Sequence, residues 1–189
     1  TVDAVNDPPL LDSISNQSVA EDNSLDVFLN ATDVDGDYLT YSVIESGGIE
    51  TVLSGNVLTL TPPENYFGET SISVSVTDGD FTDSTDFTLT VNAVNDAPIV
   101  SQPPLEDFDL LEDSEAAAMV LNDVFSDVDG DELVYNVSLN IDNIITVEIE
   151  GDNLIITPLP NQNGGPVLIT ITADDQLAAS PASDIFTIN

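Results

Sequence analysis

Asp33, Asp35 and Asp37 stand at alternate positions in "ATDVDGDYLTYSV" (residues 31–43), and the spacing returns as Asp127, Asp129 and Asp131 in "FSDVDGDELVYNV" (125–137). Three carboxylates within five residues can serve acid–base chemistry, hold a hard cation, or build Asx turns. Ion pairing inside the chain is not among the choices. Its 189 residues include 36 Asp plus Glu and no Lys, Arg or His, for a formal net charge of −36.

Composition narrows the chemistry further. Without His or Cys there is no Ser-His-Asp or Cys-His nucleophile and no zinc site of imidazole or thiolate. Without Lys there is no Schiff base, nor the Lys–Asn isopeptide crosslink found in some secreted β-sandwich repeats. Nucleic acid and anionic membrane both need basic patches and are repelled. Catalysis by carboxylates alone, as in glycoside hydrolysis, stays chemically possible. So does a general acidic adaptation to a saline habitat. Apolar residues make up 41% of the chain, enough to bury a core despite the charge. No apolar run is long enough to span a bilayer, which gives no sign of direct membrane insertion.

The carboxylate motifs belong to an internal repeat. "TVDAVNDPP" (1–9) returns as "TVNAVNDAP" (90–98), "ED" at 21–22 returns at 112–113, and "LTLTP" (58–62) returns as "LIITP" (154–158). The offset of about 90 to 96 residues is the size of a small β-sandwich. Strand signals dominate each copy: "SISVSV" (71–76) alternates Ser with Ile72, Val74 and Val76, and "FTLTV" (87–91) alternates Thr with Phe87, Leu89 and Val91. Period-two alternation sends one face to a core and the other to water. In the first copy, strands are expected near 10–15, 25–29, 38–45, 50–53, 57–61, 71–77 and 83–92, with the same order in the second. "SEAAAMVL" (114–121) has helix-forming composition, but its alignment with "SLDVFL" favours a strand. Thr1–Val2 match Thr90–Val91, so the opening residues are expected to be the tail of a preceding repeat. The expected organisation is residues 1–7 as that tail and linker, 8–93 as repeat one, 94–98 as the inter-repeat linker, and 99–189 as repeat two.

Strand parity sorts the carboxylates between the two ends of a sandwich. In a seven-stranded up-and-down Greek key, loops after even strands lie at the pole where the chain enters. Asp33 and Asp35 follow the second strand and Asp78 the sixth, so they are expected beside the incoming Asn6 and Asp7. Glu21 follows the first strand and belongs at the far pole, beside the outgoing Asn95–Asp96. At the junction of the repeats, Glu21, Asn95 and Asp96 would meet Asp127, Asp129 and Asp174. Such clustering is costly unless a cation is present. Calcium, taking six to eight oxygens, fits better than the tight octahedron of magnesium. An EF-hand loop does not fit, because its sixth position is Tyr38 rather than Gly and its twelfth is Ile44 rather than Glu.

The order "VAED … ATDVDGD.LTYSV … LTLTP..NYFG … VSVTDG … FTLTVNAVNDAP" resembles the bacterial cadherin-like (dystroglycan-type) repeats of large secreted and cell-surface proteins. The resemblance covers nearly the whole chain and is weakest at "NQNGG" (161–165) and "TADDQLAAS" (172–180). It implies an all-β chain of two tandem seven-stranded Greek-key β-sandwiches, cadherin/immunoglobulin-like, joined by a short calcium-binding linker. It also implies ligand roles. The innermost site would comprise Asn95, Asp127, Asp129 and Asp174, and a second ion would share Glu21, Asp96 and Asp129. The entering pole of repeat one would use Asn6, Asp7, Asp33, Asp35 and Asp78. The leading linker Asp of cadherins is Ala4 and Ala93 here and no "LDRE" follows the fifth strand; Glu64 or Glu69 would have to serve an outer site. One or two ions per junction are therefore expected rather than three.

The function implied is a non-enzymatic, calcium-stiffened spacer or adhesion segment of a larger bacterial extracellular protein, secreted or at the cell surface. Its partners would be neighbouring repeats, and as a fragment it would be a monomer. The alternative is calcium-dependent carbohydrate binding to a cell-surface or polysaccharide ligand. That reading needs exposed aromatics. The candidates are Tyr38, Tyr66 and Phe67, the last two better suited to plugging the end of a sandwich.

Overall fold

The computed structural model describes residues 5–101, 104–177 and 180–189; of the expected tail and linker, 1–7, residues 1–4 lie outside them. The chain is all-β and forms two compact units, Thr1–Val94 and Asn95–Asn189.

In unit 1 the alternating stretches become the longest strands. The strands are β1 (Leu10–Leu11), β2 (Gln17–Ala20), β3 (Leu25–Phe28), β4 (Ala31–Thr32), β5 (Thr40–Glu45), β6 (Glu50–Ser54), β7 (Val57–Thr61), β8 (Gly68–Thr77) and β9 (Thr82–Asn92). One sheet has the order β2-β9-β8-β5, the facing one β3-β7-β6, and β1 pairs with β4. Ile72, Val74, Val76, Phe87, Leu89 and Val91 are all buried between the sheets, as the Ser and Thr alternation requires. Leu58 and Leu60 of the opposite sheet, with Leu29 just after β3, close the core. Each such side chain contributes about 1.5–3 kcal/mol by leaving water.

Of the first expected strand, near 10–15, only Leu10–Leu11 forms a strand: β1 runs antiparallel to β4, and a further strand beyond that range, β2, runs parallel to β9 in the other sheet. Residues 12–16 carry the chain across, and Asn16 Oδ1 accepts the N–H of Thr88, within β9, at 3.0 Å.

Unit 2 repeats the plan with β10 (Ile99–Val100), β11 (Ala117–Val120), β12 (Phe125–Ser126), β13 (Val134–Leu139), β14 (Ile145–Glu150), β15 (Asn153–Pro158), β16 (Val167–Asp174) and β17 (Ala182–Ile188). Its sheets run β13-β16-β17 and β11-β15-β14, with β10 against β12. The ambiguous "SEAAAMVL" is a strand, shorter than expected, that ends in a single 3₁₀ turn at Leu121–Asp123. The register Ala117↔Ile156 pairs it with β15, so tertiary strand pairing overrides helix propensity.

Candidate metal centre

In unit 1, three loops meet at the pole where the chain enters. Asn6 Nδ2 donates to Asp78 Oδ2 at 3.0 Å, and the Asp7 N–H donates to Asp35 Oδ2 at 2.8 Å. Asp33 organises the loop after β4. Its Oδ1 accepts the N–H groups of Asp35 (2.9 Å), Gly36 (3.0 Å) and Asp37 (3.2 Å). Three donors converge on one oxygen because Gly36 turns the backbone at φ +80°, a conformation that glycine adopts without steric cost. The second oxygen, Oδ2, is buried and makes no hydrogen bond. One carboxylate oxygen thus builds the loop while the other is left pointing into protein.

Unit 2 reproduces the arrangement. Asn95 Nδ2 donates to Asp175 Oδ2 at 2.8 Å, the Asp96 N–H to Asp129 Oδ2 at 2.8 Å, and the Asp129 N–H to Asp127 Oδ1 at 2.9 Å. Gly130 again takes φ +80°. Asp127 Oδ2 and Asn95 Oδ1 are buried without hydrogen-bond partners. In each unit the three motif aspartates bring carboxylate oxygens within 4.8 Å of one another.

The acidity of these groups follows from the same geometry. The Phe81 N–H, with lesser help from the Asp80 N–H and the Asn6 amide, holds Asp78 below the usual carboxylate range. Asp175 is lowered first by the Asn95 amide and then by the Leu177 N–H. Asp37 is raised, mainly by loss of solvent and then by the charges of Asp33 and Asp35. Asp131 is raised in the same way, with Asp127 and Asp129 as its charged neighbours.

One expected residue is displaced by a single position. The register Thr40↔Thr77 in unit 1 matches Val134↔Asp174 in unit 2, so Asp174 is the counterpart of Thr77 and lies within β16. The counterpart of Asp78 is Asp175, which is 6% exposed and carries the Asn95 bond. Asp174 instead accepts the Gln176 N–H at 2.8 Å. The signal was available in the alternation: aligning buried Ile169, Ile171 and Ala173 with Ile72, Val74 and Val76 selects Asp175. Asp37 and Asp131, part of the motif but given no ligand role in the sequence, are further members of the clusters.

At the far end of unit 1, Glu21 is 2% exposed, its Oε1 accepts the Val94 N–H at 2.6 Å, and its Oε2 is buried without a hydrogen bond. Its counterpart Glu112 is exposed. Glu69 lies within β8 and faces Thr90. Of the aromatic candidates, Tyr66 packs against the core as expected, whereas Phe67 is 58% exposed and plugs nothing. Among the described residues no helix is long and apolar enough to cross a membrane.

Residues 6–92 match the family described as "Bacterial Ig domain". No curated protein sequence matches the chain. Among solved structures, the human desmocollin-1 ectodomain aligns at TM-score 0.56 and 14% identity, over 97% of this chain and 40% of that one. An endo-fucoidan hydrolase of glycoside hydrolase family 107 aligns at TM-score 0.41 and 19% identity, over 95% of this chain and 28% of that one. A SusE-like polysaccharide-binding protein of Bacteroides thetaiotaomicron aligns at TM-score 0.37 and 16% identity, over 96% of this chain and 34% of that one. The chain therefore spans well under half of each. The last two superpose too loosely to carry weight, while the desmocollin match gives the fold as Ig/cadherin-like.

Proposed function

We propose that the chain is a calcium-binding tandem module, acting as a calcium-stiffened spacer or adhesion segment of a larger bacterial extracellular protein. The observation that carries this reading is the matched pair of orphaned oxygens. Asp33 Oδ2 and Asp127 Oδ2 are buried without hydrogen bonds at the same position of two repeats, in a chain with no cationic side chain. Leaving a carboxylate oxygen out of water with no donor is unfavourable even when the other oxygen is bonded, and a hard divalent ion offsets that cost. The donor set suits calcium, being all carboxylate, amide and backbone oxygen. Asp33, Asp35 and Asp78 with Asn6 would hold an ion in unit 1, and Asp127, Asp129 and Asp175 with Asn95 would hold one in unit 2. Asp37 and Asp131 are within reach of the same ions.

The spacer role rests on where the linker residues fall. Glu21 holds the Val94 N–H, while Asn95 and Asp96 are tied to Asp175 and Asp129. An ion at the unit 2 site would hold Asn95 and Asp96 in place and, together with the Glu21–Val94 bond, restrict bending of the chain at the linker. Titration calorimetry with calcium at physiological ionic strength tests the reading. Saturable binding that is weakened by Asp33→Asn and by Asp127→Asn supports it; heats no larger than dilution would refute it.

A further inference from the structure

The carboxylate loop of unit 1 runs directly into a groove whose lining differs in charge from that of its counterpart in unit 2. The groove is open, about 430 Å³, and lined by Tyr38, Leu39, Thr40, Tyr41, Leu53 and Asn56. Tyr38 is 86% exposed, while Tyr41 packs its ring against the core. The Asn56 amide donates to Leu29 O at 3.0 Å, which leaves its oxygen as an acceptor. No hydrogen bond engages the Tyr41 hydroxyl among the described residues. An aromatic face, a second ring edge, hydroxyls and an amide thus surround one concavity without a single charged side chain.

Absence of charge is the informative feature in a chain of net charge −36. The register that aligns Thr40 with Val134, and Ser54↔Val57 with Glu150↔Asn153, makes Glu132 the counterpart of Tyr38 and Asp152 that of Asn56. The groove of unit 2 that shares these positions is lined by Glu132, Leu133 and Asp152, together with Asp127 and Asp131, the counterparts of Asp33 and Asp37. There the equivalent tyrosine, Tyr135, spends its hydroxyl on Asn122. Two neutral residues in one repeat are therefore carboxylates in the other, and a ligand without charge would desolvate carboxylates only in unit 2.

We propose that the Tyr38–Asn56 groove of unit 1 binds an uncharged saccharide. The C–H face of a sugar ring stacks on Tyr38, and its hydroxyls meet the Tyr41 and Thr40 hydroxyls and the Asn56 oxygen. Aromatic and aliphatic surface set beside a few convergent polar groups can both stack on a sugar ring and orient its hydroxyls. Sulfated or uronate sugars are disfavoured by the field of the chain. The groove uses none of the carboxylates assigned to calcium and does not rest on that reading.

The test uses the intact chain, in calcium and separately in EDTA, with saturation-transfer NMR and calorimetry. The probes are uncharged gluco-, manno-, galacto- and xylo-oligosaccharides, a sulfated oligosaccharide, and oligolysine and proline-rich peptides. At least one uncharged sugar is expected to saturate a single site. Tyr38→Ala, Tyr38→Glu and Asn56→Asp should each weaken that binding by about tenfold or more, with melting temperature unchanged for the exposed Tyr38. Glu132→Tyr combined with Asp152→Asn should add a second site. The proposal is overturned if no uncharged sugar saturates by about 10 mM, if Tyr38→Ala binds as well as wild type, or if only a charged sugar or a peptide binds. Because both media are used, a failure of calcium binding leaves the sugar titration interpretable.

Discussion

Asp127→Asn separates the two jobs of one side chain. Asp127 Oδ1 accepts the N–H groups of Asp129 at 2.9 Å and Asp131 at 3.4 Å, while Oδ2 is buried with no hydrogen bond. Asparagine keeps an oxygen for the loop and turns an NH₂ toward the proposed ion. It also removes one negative charge from the group that raises Asp131. In EDTA the variant should therefore melt no lower than wild type. In calcium it should lose about ten- to hundredfold in affinity. With calcium a hundredfold above Kd, the ion stabilises the folded state by about 2.7 kcal/mol, and a hundredfold weaker site leaves about 0.4 kcal/mol. The difference shifts the melting temperature of a domain this size by roughly 9–18 °C. Scanning calorimetry should show that shift in the unit 2 transition only, and Asp33→Asn should move only that of unit 1. Equal destabilisation of Asp127→Asn in calcium and in EDTA would refute the reasoning, since Asp127 would then matter to the loop alone.

The register predicts that Asp175→Asn weakens calcium binding by about tenfold or more, whereas Asp174→Asn stays close to wild type in a calorimetric titration. Glu21→Gln keeps an acceptor for the Val94 N–H and removes a buried charge, so its melting temperature in EDTA should equal or exceed that of wild type. Without calcium, pH acts in two directions. Asp78 and Asp175, lowered in the fold, contribute stability above their unfolded value of 3.8 that is lost as pH falls through their folded values. Asp37 and Asp131, raised in the fold, oppose folding when ionised and are relieved as pH falls toward 3.8. Thermal melts in EDTA should therefore rise as pH is lowered from neutral toward about 4 and fall below it. Small-angle scattering should report a more flexible chain in EDTA than in calcium; identical profiles would remove the stiffening role.

Much of this architecture is legible in residue order. Alternation in "SISVSV" and "FTLTV" names the core of unit 1 because a strand with one wet face must place every second residue inside. The convergence of Asn6 with Asp78, and of Asp7 with Asp35, follows from strand parity alone. What was not legible depends on pairing. The chain passes from one sheet to the other over residues 12–16, between β1 and β2, a crossing that no periodicity reports. Asp174 and Asp175 are adjacent, and only the phase of Ile169, Ile171 and Ala173 tells the strand residue from the loop residue. The division of labour between the two oxygens of Asp33 and Asp127 is a matter of three-dimensional burial, as is the neutral groove beside Tyr38.

A crystal structure grown in calcium, with anomalous scattering, tests the central claim most directly. The account predicts an anomalous peak in each unit, about 2.3–2.6 Å from Asp33 Oδ2 and from Asp127 Oδ2, with Asp78 and Asp175 in the respective coordination shells. Well-ordered DVDGD loops without such peaks, their buried oxygens hydrogen-bonded to water instead, would contradict it.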